Sequence, residues 1–239
     1  MRSPHKYDVA IVGGGPAGTT AATLLRKYNP NLSVVIIERE TFPRDHVGES
    51  QLPPIGAILN EMGCWEKVEA ANFPIKIGVT YRWGKTPQLW DFDFVPAEQF
   101  HERPRPTPYS GDRTRTALQV DRARYDEILL RHAESVGCDV VEGCGVNSVD
   151  HVDDEIKKLT LVDGRTFEAK WYVDASGHSG FLRRSLGVEI ECPTNLKNIA
   201  IWDYWENAKW ADEIGVGGTR VQVLSQPHGW MWFIPLGPT

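Results

Sequence analysis

"YDVAIVGGGPAGTTAATLLRKY", Tyr7 to Tyr28, is the stretch whose reading decides the fold. Tyr7–Val12 is a short apolar run stopped by glycines, the pattern of a parallel strand buried on both faces. Pro16 opens a helix at a position where its missing N–H costs nothing. Gly18, Ala21 and Ala22 keep that helix slim enough to lie close against a sheet. "SVVIIE", Ser33–Glu38, reads as a second buried strand. Strand, glycine turn, helix and strand in this succession make a right-handed βαβ unit.

Gly13-Gly14-Gly15-Pro16-Ala17-Gly18 fits the pattern G-x-G-x-x-G between strand and helix. Gly13 permits the tight turn, Gly15 lets backbone approach a pyrophosphate, and Gly18 allows close helix–strand packing. Pro16 and Ala17 begin a helix whose free N–H groups and partial positive charge favour phosphate. Glu38 ends the second strand twenty residues after Gly18, where a carboxylate can accept ribose hydroxyls. This unit binds a dinucleotide but does not choose between NAD and FAD.

Outward from it, Asp121 is a good N-cap for a helix that runs through Tyr125, Ile128, Leu129 and Val136 to Gly137. "CDVVE" follows as a further parallel strand. An antiparallel meander comes next, its second hairpin turning at Asp163-Gly164. "KWYVDASG" returns as a strand, and a short helix through Phe181 and Leu186 stops at Gly187. Residues 74–112 and 188–239 differ in character: aromatic strand patterns, a Pro-rich connection, and no long helix. The expected fold class is therefore α/β, with a Rossmann-like nucleotide-binding domain combining a parallel sheet and a meander. That domain takes residues 1–73 and 113–187. An incomplete antiparallel sheet, inserted as 74–112 and 188–239, forms a substrate-side subdomain.

Composition narrows the function classes. Of 239 residues, 41% are apolar and 24% charged, which suits a globular protein, and the net charge of −6 offers no basic field for nucleic acid or anionic membrane. No apolar run approaches a membrane span, and the first one is too short for a signal peptide. Cys64, Cys138, Cys144 and Cys192 form no C-x-x-C pair and no metal-ligand spacing, so free thiols in a reducing cytoplasm and no metal site are expected. Five of nine Trp (Trp202, Trp205, Trp210, Trp230 and Trp232) crowd the final stretch.

"GGGPAG", Glu38-Arg39, "FPRDHVGES" (Phe42–Ser50), "VDRARYD" and "VDASG", in this order, resemble the FAD-dependent oxidoreductases built like aromatic hydroxylases. The resemblance implies FAD, with Arg39 beside Glu38 at the nucleotide and Arg122 near its pyrophosphate or adenosine. Backbone near Val146 would face the adenine. The Arg44–Ser50 loop would run along the flavin side, and Asp174 would lie close to the glycine turn. Each residue also has a plain structural reading. Arg122 can pair with Asp126 on its own helix, and Asp174 can be a strand-to-helix turn residue.

"GES" at Gly48–Ser50, "FPIKIGVTYRWG" containing Lys76, and "WMWFIP" resemble the flavin-dependent halogenases, whose signature Trp-x-Trp-x-Ile-Pro is met by Trp230, Trp232, Ile234 and Pro235. The style of "KIGVTYRWG" and "VGESQLPP" is similar to the phenol and pyrrole halogenases more than to the tryptophan halogenases. The resemblance implies that reduced FAD, oxygen and a halide (chloride or bromide) yield hypohalous acid, which Lys76 relays to an electron-rich aromatic substrate. It implies a separate flavin reductase, a substrate that is free or tethered to a carrier protein, and Trp230, Trp232, Ile234 and Pro235 as an active-site wall. Such halogenases are about twice this length, so the chain reads as an N-terminal half.

The bland alternatives are a solvated strand lysine and ordinary sheet-core tryptophans. An FAD-dependent monooxygenase or an isoprenoid-type reductase shares the scaffold. A flavin-binding but catalytically silent protein is the reading from another class.

Overall fold

A computed structural model describes residues 5–192, 194–195, 197–207 and 219–237. Trp210 and parts of the 188–239 stretch fall outside these residues. Along the chain run β1 (His5–Val12), α1 (Pro16–Tyr28), β2 (Val34–Ile37), α2 (Pro54–Met62), α3 (Trp65–Ala70), β3 (Ile75–Arg82) and β4 (Trp90–Asp93). β5 (Ala117–Leu118), α4 (Arg122–Ser135), β6 (Asp139–Val141), β7 (Val146–Val152), β8 (Glu155–Leu161) and β9 (Thr166–Asp174) follow. α5 (Phe181–Ser185), β10 (Thr219–Gln226) and β11 (Gly229–Phe233) complete the series. Internal contacts divide the chain into two units, Met1–Arg44 with Asp126–Ala200, and Asp45–Tyr125 with Ile201–Thr239.

The first unit holds a six-stranded sheet of order β6-β2-β1-β9-β8-β7. β1 lies parallel between β2 and β9, and β6 is parallel to β2. β7, β8 and β9 form the antiparallel meander. Strand alternation assigns the two faces of β1. Val9 and Ile11 pack with Ala22 of α1 and with Leu130 and Ala133 of α4. Ala10 and Val12 join Val35 and Ile37 in a cluster with Leu159, Leu161 and Phe167. Asp121 caps α4 by accepting the Ala123 amide at 2.9 Å, and the second hairpin turns at Asp163-Gly164 as its residues dictate.

The second unit is built on a five-stranded sheet of order β11-β10-β3-β4, with β5 also paired to β3. One feature departs from the expected antiparallel insert. β10 runs parallel to β3. A parallel pair needs a long crossover, and the connection from β3 to β10 passes through most of the first unit. Contacts also group residues 45–73 and 113–125, with α2 and α3, on the side of this sheet. Leu59, Met62, Trp65 and Val68 of those helices are buried there, as are Ile75, Ile77 and Leu118.

Candidate functional site

The glycine turn lies at the carboxyl end of β1, where a parallel sheet leaves its ligand crevice. Gly13 takes φ +115°, and a Cβ there would lie 2.3 Å from the Ala175 carbonyl oxygen; at Gly18 it would lie 2.0 Å from the Gly13 carbonyl oxygen. Both glycines are demanded by packing within the fold. Gly15 is different. A Cβ there would meet only the Arg44 guanidinium, at 3.6 Å, so the space beside it is open to a ligand approaching the backbone. Gly15 is also the N-cap of α1, whose first turn holds Pro16 and Ala17 and no acidic residue.

Glu38 closes the other side of this turn. It is buried, with Oε2 accepting the Gly14 amide at 2.6 Å and Oε1 accepting the Glu40 amide at 2.9 Å. A carboxylate offers about four lone-pair positions, so two remain for ribose hydroxyls. Arg39 points outward, its Nε 3.2 Å from Glu40. Its Cβ would stand 3.0 Å from one added at Gly145, so the backbones of Arg39 and of the start of β7 at Val146 are close neighbours.

Arg44 contributes the positive charge. Its guanidinium stacks 4.6 Å from the Phe42 ring centroid and lies 3.1 Å from the fully buried Asp126 carboxylate. Phe42 and Asp126 thus hold it over the Gly15 side of the turn. Asp174 pairs with Val12 in register and so abuts the turn. Burial would raise its pKa, but hydrogen bonds from Ser176 and the Arg183 amide outweigh that and hold the carboxyl below its ordinary value. Those same bonds, including Arg183 N–H at 3.0 Å, employ it as the cap of the turn leading into α5.

The second unit carries the other residues. Arg122 is buried and donates through Nη1 to the Val47 carbonyl at 2.5 Å, so it fastens the 45–50 loop. Ser50 bridges to Gln119, and its buried Oγ has no partner. Lys76 is 3% exposed. Its Nζ donates to the Gln51 carbonyl at 2.8 Å and lies 5.4 Å from the centre of the Phe94 ring. Burial alone pushes the amine down from 10.5 to about 8. The solvated-lysine alternative is excluded by that burial.

Trp230 and Trp232 are 44% and 57% exposed on β11, which pairs only with β10 among the described strands. They are not core residues of the sheet. Ile234 packs against the cluster of Val79, Val221 and Val223, as do Phe94 and Tyr81. Pro235 follows just beyond the strand. Sequence reasoning passed over Gln51 and Phe94, and it offered Asp126 only as a partner for Arg122, not for Arg44. Only Phe94 left a signal, as the third member of the alternation Trp90, Phe92, Phe94.

Taken with the parallel sheet, the glycine turn, Glu38 and Arg44 define a dinucleotide-binding oxidoreductase fold, and the open Gly15 face with the spare acceptors of Glu38 fits an adenine dinucleotide flavin. A family model described as tryptophan halogenase matches residues 8–109 and 95–239. The chain belongs to this family of flavin-dependent halogenases.

Among relatives, a tryptophan 2-halogenase of Chondromyces crocatus is 33% identical over 99% of this chain and 42% of its own length. A 1H-pyrrole-2-carbonyl-[peptidyl-carrier protein] chlorinase of Pseudomonas fluorescens is 35% identical over 99% of the chain and 55% of its own length. The solved myxobacterial chondrochloren halogenase CndH superposes with a TM-score of 0.75 at 29% identity, covering 98% of this chain and 51% of that one. The chain thus spans about half the length of the relatives it matches.

Proposed function

We propose that this chain carries the FAD-binding and lysine-bearing portion of a halogenase that acts on electron-rich aromatic rings. One observation carries the reading: in a chain of this family, Lys76 is a buried amine whose hydrogen-bond acceptor is a neutral carbonyl. When bound, reduced FAD with oxygen supplies the oxidising power that turns chloride or bromide into hypohalous acid. Gly15, Pro16 and Ala17 would hold its pyrophosphate on the turn that Gly13 and Gly18 shape, with Glu38 and Arg39 at its ribose and Arg44, Ser50, Arg122, Val146 and Asp174 at its remaining edges.

The Lys76 amine is neutral in a substantial fraction near its pKa of about 8. Its lone pair accepts the halogen from hypohalous acid: an N–halogen bond forms, the O–halogen bond breaks, and water leaves with the amine proton. Attack by the ring carbon then forms the C–halogen bond, returns the N–halogen electron pair to nitrogen, and releases the ring proton. Alternatively the amine holds the acid by a hydrogen bond while the ring attacks it. Trp230, Trp232, Ile234 and Pro235 would wall this site with apolar surface. In this reading residues 1–73 and 113–187 serve the cofactor, and 74–112 and 188–239 the substrate. A separate reductase supplies reduced flavin in the cytoplasm. A carrier-tethered pyrrole is supported as one substrate class by the name of the Pseudomonas relative.

The test supplies the protein with a flavin reductase, oxygen, bromide and a panel of phenols, pyrroles and indoles. Products should carry the paired masses of the two bromine isotopes, and Lys76→Met should lose them while retaining FAD. Hydroxylated products formed without bromide would replace halogenation by monooxygenation.

A further inference from the structure

Among the described residues, the Lys76 amine meets one backbone carbonyl and one aromatic ring. The Gln51 carbonyl accepts its proton at 2.8 Å, and the Phe94 ring lies 5.4 Å away. Phe94 is held in place by its own backbone, which donates to the Ile77 carbonyl at 2.8 Å, and by Phe92, whose ring meets it edge-on at 6.0 Å. Its ring packs on Val79, Val221 and Val223, the same cluster that seats Ile234.

We propose that Phe94 is a positioning residue for Lys76: its ring closes the dry recess around the amine and, through the shared cluster, couples the Trp-x-Trp-x-Ile-Pro segment to it. The inference rests on the relay role given to Lys76 above. The groups that pair with Lys76 from neighbouring strands are uncharged, Ala117 on β5 and Thr219 on β10. The carboxylate next to Phe94, Asp93, is engaged by Arg220 at 2.7 Å. Among the described residues Lys76 forms no ion pair, so its amine is governed there by dryness and by the ring.

These two influences oppose one another. Exclusion of water favours the neutral amine, whereas the negative face of an aromatic ring favours the ammonium. At 5.4 Å the ring is near the outer limit of its reach, so dryness dominates, in keeping with a pKa of about 8 rather than 10.5. Two substitutions separate them. Phe94→Leu keeps the recess dry and removes the ring face, so the pKa of Lys76 falls by about half a unit. Phe94→Ala admits water, so it rises by about one unit or more. Ile234→Ala, by loosening the cluster, moves it upward by less.

The experiment is competitive acylation with trace acetic anhydride across a pH series on the folded chain. The Lys76 peptide is quantified by mass spectrometry, and circular dichroism verifies each variant. Opposite shifts in Phe94→Leu and Phe94→Ala support the proposal. Shifts of the same sign, or none, overturn it; should Phe94→Ala fail to fold, an unchanged pKa in Phe94→Leu overturns it alone. The measurement needs neither FAD nor halide. Its failure is thus distinct from failure of the relay role, which appears as full bromination by Lys76→Met.

Discussion

At the scale of single residues, the glycines of one motif separate into folding and binding positions. An added methyl at Gly18 would meet the Gly13 carbonyl oxygen at 2.0 Å, a contact no relaxation of a side chain relieves, so Gly18→Ala should destabilise the protein severely. At Gly15 the same methyl meets only the flexible end of Arg44 at 3.6 Å. Gly15→Ala should therefore unfold at nearly the wild-type urea concentration yet bind FAD at least tenfold more weakly, as read by flavin fluorescence. Equal loss of stability in both variants would show that Gly15 too serves only the fold. This division was half legible: the motif named the positions, but the contacts of Ala175 and Arg44 come from distant segments. Lys76 gives a second prediction. Its folded pKa of about 8 lies below the ordinary 10.5 because burial disfavours the ammonium. Between those values the unfolded chain binds more protons, so this residue makes stability rise with pH through that window. Its penalty is complete below about pH 8 and gone above about 10.5. Lys76→Met should gain most at neutral pH, up to about 3 kcal/mol, and the gain should vanish by about pH 10.5. A gain constant with pH in paired urea titrations would mean that the amine is solvated.

At the scale of elements, α3 organises a connection that its own sequence leaves formless. The Pro-rich stretch after β4 has no strand or helix period, and its order comes from one turn of α3. Trp65 donates its indole N–H to the Thr107 carbonyl at 2.8 Å. Four residues on, the fully buried Glu69 accepts from Arg105 at 3.1 and 3.0 Å and from Arg113 at 3.0 Å. Residues four apart share a helix face, which places both anchors on the loop side. Removing the carboxylate charge leaves two buried guanidinium groups facing one another. Glu69→Gln should cost about 3–5 kcal/mol in urea unfolding, and a loss under about 1 kcal/mol would indicate that water reaches the cluster. Elements with strong local periodicity were legible: β1, α1, β2, α4 and the meander form where their patterns place them. The parallel pairing of β10 with β3 was not, because strand patterns carry no direction and the deciding connection runs through another unit.

At the scale of the molecule, the second sheet presents an aromatic face. Register places Trp90 and Phe92 of β4, Val79 and Tyr81 of β3, Val221 and Val223 of β10, and Trp230 and Trp232 of β11 on one side. The valines are buried, but Trp90, Phe92, Trp230 and Trp232 are 44–58% exposed. An alternating pattern alone shows which residues share a face, not whether anything covers it, and the aromatic richness of this segment reads equally as core or as surface. Exposed aromatic area of this extent is uncommon on a monomer that remains dispersed, and a net charge of −6 provides only modest repulsion between copies. The 239-residue polypeptide on its own should therefore bind an environment-sensitive apolar dye and elute in gel filtration at a size that grows with concentration. Phe92 and Trp232 stand on opposite edge strands and outside the buried valine cluster, so changing both to Ser removes apolar surface without opening the core. That double variant should keep its strand signal in circular dichroism, bind less dye and elute as a monomer. Unchanged dye binding in a folded double variant would locate the adhesive surface elsewhere.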